Sequence, residues 1–304
     1  MSTVDADLHH IRRSALAPFL SKPSVAAYEP LIRAKIEDIS ARLGRFKSDN
    51  KIVELRLLFW CMTTDIITGL AFFKPMGLLS GPELNPDYRA FAVQGQRRLN
   101  WFKHFPILWT ALRRIPPEWL ISMAPEAKMA LDWEISNKAA AQELVSRFEQ
   151  FPNHTIASDS TIFHHLLRSN LPPAEKRLPR IWQDGTSLVG AGVETISNTL
   201  CVTLFHLLRN PSSLSRLRAE LATAIPDPTC IPPLYQLNHL PYLSAVIEEG
   251  LRKAMSVLLR FVRVAPNAAV TYNAEYTLSP DIVVSISTLL VHNNSQYFSK
   301  PKRF

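Results

Sequence analysis

The chain has 304 residues, 47% of them apolar and 20% charged, so it can bury a large core in one or two domains. Nine glycines against 23 prolines argue against a glycine-turned β protein and for long helices with proline-punctuated connections. Thirty-four basic residues against 26 acidic ones give a net charge of +8. The basic residues lie in scattered pairs (Arg12-Arg13, Arg97-Arg98, Arg113-Arg114), with no basic run interleaved with aromatics. That distribution argues against nucleic-acid binding and suits an acidic protein partner or an anionic membrane. The three cysteines, Cys61, Cys201 and Cys230, are far apart and form neither a metal-ligand spacing nor a disulfide framework. Cys61 and Cys201 sit in apolar runs and read as small core residues. Ser-Thr-Val-Asp-Ala-Asp after Met1 reads as neither a signal peptide nor an anchor.

In chain order, Leu8–Leu20 reads as a short basic helix that stops near Pro18. Ser24–Phe46 has helical apolar spacing at Leu31, Ile32, Ile36, Ile39 and Leu43, and Val53–Phe73 reads as a more buried helix. Lys74–Asp87 is a loop with three prolines, and Asp87–Leu112 is aromatic and basic. After Pro116-Pro117 a helical pattern resumes over Glu118–Gln150, followed by a short helix at Thr161–Leu167. Lys176–Leu208 is the long central helix. Its Thr186–Leu208 stretch could span a bilayer, but Glu194, Asn198 and His206 favour a buried core helix. Asn210-Pro211 forms a cap and first-turn pair, and Pro241 opens another helix. After Met255 the pattern turns to strands at Leu258–Val264, Ala269–Tyr272 and Ile282–Val291, and then to a polar tail. The fold class is mainly α with a small β portion, with no internal repeat and no clear domain boundary.

Four constellations carry possible chemistry. With His206 neutral, Glu194 is the only charged side chain between Asp184 and Arg209, and a lone acid in an apolar helix is costly unless paired or used. Helical spacing places Leu188, Ala191, Gly192, Thr195 and Thr199 on one face, small in its middle, with a carboxylic acid beside a hydroxyl. This suits proton delivery to a ligand lying against the helix. Glu249 and Arg252 stand at i and i+3 and can pair, and His9 and Arg13 at i and i+4 can grip an anion or form a solvated basic face. Arg260 and Arg263 fall on opposite faces of a strand, so at most one points inward. A Ser-His-Asp triad, a zinc site or a phosphate loop would need spacings that this sequence does not have.

In this order the motifs resemble the cytochrome P450 family of haem-thiolate monooxygenases, in particular fungal members of secondary metabolism. Asp5-Ala-Asp-Leu-His-His-Ile-Arg-Arg-Ser-Ala-Leu-Ala-Pro-Phe is similar to the family's C-helix, and Ala191-Gly192-Val193-Glu194-Thr195 to its I-helix oxygen-activation motif. Leu237–Arg252 is similar to the K-helix with its E-x-x-R motif, and Arg260-Phe-Val-Arg263-Val-Ala-Pro266 to the strand that follows. The resemblance implies a helical fold running from the C-helix to the strands after the K-helix, one partial domain over 1–304. It implies haem as cofactor, with His9, Arg13 and Arg263 holding the propionates and Ala191 and Gly192 leaving room for dioxygen. Thr195 and Glu194 would be the catalytic pair, and Glu249 and Arg252 the structural core pair. It also implies a small hydrophobic substrate, an NADPH-dependent flavin reductase as partner, and a place on the cytosolic face of the endoplasmic reticulum membrane.

The sequence departs from the family in several places. The haem-binding pattern F-x-x-G-x-R-x-C-x-G is absent, so no metal ligand is assigned, and no membrane anchor precedes the C-helix. Membrane association through such an anchor is therefore not expected of this chain, which would be cytoplasmic. Ile196 stands where the family has Thr or Ser, and Lys253–Val257 is untypical. The expectation is that the 304-residue chain is inactive as a monooxygenase. The alternatives are a non-catalytic remnant or interaction protein, or a helical membrane protein with its span near 186–208.

Overall fold

The computed structural model describes residues 3, 5–81, 84, 88–90, 92–94, 105–112, 114–125, 128–151, 161–227, 230–257, 261–265 and 267–304. Arg97, Arg98, Arg113, Arg260 and Pro266 lie outside the described residues. The chain forms two compact units, Met1–Ser197 and Asn198–Phe304, divided inside one long helix.

In the first unit, α1 (Ala6–Leu16) starts where the Asp5 carboxylate accepts from the Leu8 N–H at 2.7 Å. The periodic stretch read as one helix from Ser24 is broken into α2 (Lys22–Ala27) and α3 (Glu29–Ser48). Pro30 explains the break: it has no N–H to continue the α2 ladder, and it sits in the first turn of α3, where none is needed. Next come α4 (Leu55–Ala71), α5 (Pro106–Leu112), α6 (Pro117–Met123), α7 (Lys128–Gln150) and α8 (Ile162–Arg168). The pattern read as one helix over Glu118–Gln150 is thus two, with α6 ending at the Ala124 cap just before Pro125. A 3₁₀ turn at Pro173–Lys176 precedes α9, the 32-residue helix Leu178–Arg209.

The core of this unit is aromatic. Phe72, Phe163 and Trp182 stack within 4.8–5.9 Å of one another, with Leu58, Ile162, Leu166 and Ile181 fully buried nearby in the unit. Asp65, which interrupts the apolar run of α4, is fully buried and accepts the N–H groups of Leu78 and Leu79, both at 2.8 Å. This acid in the middle of a core helix therefore caps the following loop and satisfies both of those buried N–H groups.

The first unit also holds a charge network that sequence spacing did not reveal. Arg12 donates two parallel bonds to Glu175, at 2.7 and 2.9 Å, and a third to Thr3. Arg180 bonds Glu175 at 3.1 Å and Asp184 at 2.7 Å, tying α1 to the start of α9. The hydrogen bond from Arg12 holds the Glu175 carboxyl below its ordinary value, and the same bond raises Arg12.

The second unit contains the end of α9, then α10 (Pro211–Ala224), α11 (Leu234–Leu237) and α12 (Pro241–Ala254). Pro211 opens α10 as expected, but Asn210 does not cap it; its amide turns back to the His206 carbonyl at 2.6 Å. Leu207, Leu217 and Val246 form the core of this unit. Gly250 allows a close approach to α9, because a Cβ there would overlap Thr203 Oγ1. The strands are short: β1 (Phe261–Arg263), β2 (Val270–Tyr272), β3 (Tyr276–Leu278) and β4 (Val284–Ile286). β1 pairs antiparallel with β4, and β2 with β3. The run read as a strand over Ile282–Val291 holds only the three-residue β4, and Thr288–His292 forms helix α13. Short apolar runs suit either state, and here the Thr288 hydroxyl binds the Val257 carbonyl at 3.1 Å.

Arg252 organises the tail of this unit. Arg252 is 7% exposed, and its guanidinium makes a two-point pair with Glu249, at 2.5 and 2.7 Å. It also donates to the carbonyls of His292, Pro301 and Arg303, at 2.9, 2.9 and 3.0 Å, and lies 4.8 Å from the centre of the Phe298 ring. Lys253, in the untypical stretch, adds a bond to the Lys302 carbonyl at 2.9 Å.

Two outcomes are expected. Arg252→Lys cannot reproduce the fork and should cost about 3 kcal/mol in denaturant unfolding of the 304-residue chain, with faster proteolysis after residue 288. An unchanged midpoint would show that the tail does not depend on this guanidinium. Glu175 has a depressed folded pKa, so its contribution is present above the unfolded value of about 4.3 and is lost as pH falls. Glu175→Gln should therefore melt below the parent at pH 7, with the difference closing under acid.

Candidate functional site

The site residues named from sequence fall into both units. In the first, α4 lies along one side of α9. The Thr63 hydroxyl stands 3.2 Å from the Val193 carbonyl, and Ile67 fills the place of the side chain that Gly192 lacks, 3.2 Å from where a Cβ would be. Two turns before Thr63 on α4, Arg56 Nη2 reaches Glu194 Oε1 at 2.7 Å. Positions 56, 63 and 67 recur on one helical face, so the α4 face that builds the core also supplies the cation for Glu194. Arg89 Nη2 approaches the same oxygen at 3.9 Å. The Arg89 segment is anchored by Tyr88, whose ring packs edge-on to Trp60 and whose hydroxyl meets Met76 Sδ at 3.2 Å. Burial pushes the Tyr88 phenol up to about 12.

The face of α9 expected to receive a ligand divides differently from the sequence reading. Leu188 is buried and Gly192 meets Ile67, so these two face α4. Ala191 is exposed, as are Ser187 and Gly190, and nothing lies within 4 Å of where a Gly190 Cβ would be. The Thr195 hydroxyl donates to the Ala191 carbonyl at 2.7 Å, at the edge of this open strip. Thr199 is engaged in the second unit, where its hydroxyl meets Ser256 at 3.1 Å beside Asn198, which holds the Ala254 carbonyl. The expectation of an enclosed core helix needs correcting: only 11% of the most apolar 18-residue stretch of α9 is buried. The side of small residues meets no packed partner among the described residues. By length and hydropathy alone α9 could cross a membrane.

His9 and Arg13 lie one turn apart on α1; His9 is half-buried, and Arg13 is exposed with no ion pair among the described residues. Arg12, not singled out as a separate residue in the sequence, is the member of the Arg12-Arg13 pair that is used for packing. In the second unit Arg263 is exposed on β1, and its guanidinium binds the Val262 carbonyl at 2.8 Å. His206 stacks on Phe304 with centroids 5.0 Å apart, and burial, followed by the nearby Lys253 charge, holds the imidazole below its usual value. That supports treating His206 as neutral when Glu194 is counted as the lone charge of its stretch.

A flat ring system requires a helix face without protruding side chains, and the Ser187–Gly190–Ala191 strip of α9 provides one. Ring carboxylates require uncommitted cations, and exposed Arg13 is of that kind. The residues present therefore fit the face and edge of a haem. Cys61 is fully buried inside α4, Cys201 is half-buried and Cys230 is exposed, and no group of three or more His, Cys, Asp or Glu suited to a metal ion occurs among the described residues. Two open clefts of about 460 and 450 Å³ flank α8 and share Arg168 and Leu171, and neither includes a site residue named from sequence.

Comparison with known proteins gives this geometry a context. The family model described as Cytochrome P450 matches residues 2–304. The chain is similar to the cytochrome P450 monooxygenase MO6277 of Ascocoryne sarcoides, 32% identical over 313 residues that cover 100% of this chain and 60% of that protein. It is also similar to the cytochrome P450 monooxygenase sdnE of Sordaria araneosa (33%, with 100% and 60% covered) and to the tryptophan 6-hydroxylase fscE of Fusarium equiseti (32%, with 100% and 59%). The chain thus spans about 60% of the length of these curated relatives. In fold it is similar to the crystal structure of cytochrome P450 CYP102L1, with a TM-score of 0.71 at 17% identity, covering 100% of this chain and 62% of that one. A second solved structure, the cytochrome P450DA heme domain, gives 0.67 at 19% identity, with 95% and 59% covered. The mainly helical architecture and the match across the whole sequence lead to one conclusion: the chain belongs to the cytochrome P450 family.

Proposed function

We propose that these residues serve a haem monooxygenase of fungal secondary metabolism that oxidises a small hydrophobic molecule with dioxygen and reductase electrons. The observation that carries this reading is the acid–alcohol pair on an open, small-residue strip of α9: Glu194 held by arginine, and Thr195 bonded to the Ala191 carbonyl. When bound, haem would supply the activation of dioxygen, which no side chain of this protein can perform. His9 and Arg13 of α1, and Arg263 of β1, would hold its carboxylates through charge-assisted bonds. Ala191, with Gly190 before it, leaves the strip flat and accessible. Gly192 acts one step removed, by letting α4 pack close against α9.

The protein's own contribution is the handling of protons. The Thr195 hydroxyl directs its hydrogen to the Ala191 carbonyl, which fixes its oxygen at the edge of the strip. Glu194 is the neighbouring acid, and its side chain is a quarter exposed. Glu249 and Arg252 would take no part in the chemistry; they fix the tail of their own unit. The cysteine that would hold the haem iron belongs to the pattern F-x-x-G-x-R-x-C-x-G, which surrounds none of Cys61, Cys201 and Cys230. We therefore expect the 304 residues expressed alone to yield no oxidised product. An NADPH-dependent flavin reductase as electron donor, and a site on the cytosolic face of the endoplasmic reticulum membrane, complete the proposal.

In a haem-loaded protein that carries these residues, Thr195→Ala and Glu194→Gln should each lower product formed per NADPH consumed, by about tenfold or more. Substrate affinity, read from the optical shift on binding, should hold within about twofold. Full coupling in Thr195→Ala would remove the acid–alcohol pair from the mechanism.

A further inference from the structure

The surroundings of Glu194 contain an unsettled arrangement. Arg56 and Arg89 both address Oε1, at 2.7 and 3.9 Å. Oε2 of Glu194 is buried without a hydrogen-bond partner among the described residues, and so is Nε of Arg89. These two orphaned atoms belong to groups that already face each other, and they are complementary, one an acceptor and the other a donor. A guanidinium presents Nε–H and one Nη–H side by side at a spacing that matches the two oxygens of a carboxylate. A small rotation of the Glu194 carboxylate toward Arg89 would close a two-point pair and satisfy both atoms, at the expense of the single bond to Arg56. The two cations differ in setting. The Arg56 side chain is 43% exposed and that of Arg89 21%, so one is an outer arm at the solvent boundary and the other an inner arm.

We propose that Arg56 and Arg89 are positioning residues for Glu194, between which its carboxylate changes hands. Held by Arg56, the side chain stays a quarter exposed, with Oε1 bonded at the solvent boundary and Oε2 unpaired. Held by Arg89, it is withdrawn toward the Tyr88–Trp60 contact and its oxygens are fixed in place beside Thr195. The packing around the site supports this division. Tyr88 is pinned against Trp60 and Met76, which makes the inner arm the rigid one, while Arg56 stands in the first turn of α4, where a long side chain can swing outward. The inference rests on the reading of Glu194 as the proton-handling group and names what holds that group in register.

Two readouts test it. In the 304-residue chain labelled with ¹⁵N-arginine, the Nε–H signals of Arg56 and Arg89, assigned through Arg56→Lys and Arg89→Lys, should both move in Glu194→Gln. Arg56→Lys should increase the protection of the Arg89 Nε–H from solvent exchange, because the carboxylate is then free to close on the inner arm. An Arg89 Nε–H that is indifferent to both changes would overturn the proposal. In the haem-loaded protein, Arg56→Gln and Arg89→Gln should each raise the hydrogen peroxide released per NADPH by about threefold or more, with substrate affinity within about twofold and partial rescue by the lysine variants. If Glu194→Gln uncouples and neither arginine variant does, the positioning role is wrong and the reading of Glu194 stands. If Glu194→Gln itself stays coupled, that underlying reading fails.

Discussion

The close approach of α4 to α9 is the constraint on which the first unit depends. It is possible because Gly192 has no side chain and Ile67 occupies that space. With the helices this close, the Thr63 hydroxyl comes within 3.2 Å of the Val193 carbonyl and Arg56 reaches Glu194. A carboxylate that would be prohibitive in an apolar helix thereby becomes affordable and acquires a defined orientation. The same helix α4 binds the loop that follows it through Asp65, so the wall that positions the acid is itself fixed at its far end. Packing, electrostatics and candidate chemistry at Glu194 share one cause, a glycine at the point of contact.

The second unit is organised by a different device with a similar logic. One guanidinium, that of Arg252, satisfies a carboxylate on its own helix and three carbonyls from a stretch with little regular structure. A segment without a sheet or helix ladder has to find partners for its carbonyls elsewhere, and arginine supplies several donors in a rigid fork. Lys253, untypical of the family, extends the same function by binding the carbonyl of Lys302. Gly250 on the same helix admits Thr203, so here too a missing side chain sets the distance between helices.

What could be read from the sequence divides along physical lines. Helices with strong apolar periodicity were legible, as were the proline-opened starts at Pro211 and Pro241, because those signals are local. Glu249-x-x-Arg252 was legible as a pair for the same reason, but its three carbonyl partners were not, since they lie 40 to 51 residues away. Arg56 and Arg89 gave no signal at all: the Arg56 partner is 138 residues distant, and nothing in the surroundings of either arginine distinguishes it from a surface charge. Pro30 was a sufficient sign that the helix beginning near Ser24 should break, and apolar spacing outweighed it. The helix at Thr288–His292 shows the opposite limit, since a β-rich run of five residues is decided by tertiary contacts. Periodicity put Ala191 and Gly192 on one face of α9, whereas packing separates them, one toward α4 and one outward.

The central claim is that the contact at Gly192 holds α4 and α9 as one body and thereby places Glu194 and Thr195. Native-state hydrogen exchange of the 304-residue chain tests it most directly. The amides of α4 and of α9 from Ile181 to Ser197 should open together, in the slowest-exchanging class, and Gly192→Leu should release both sets while the Arg252-centred tail keeps its protection. Slow exchange in α4 beside independent, fast exchange around Glu194 and Thr195 would contradict the account.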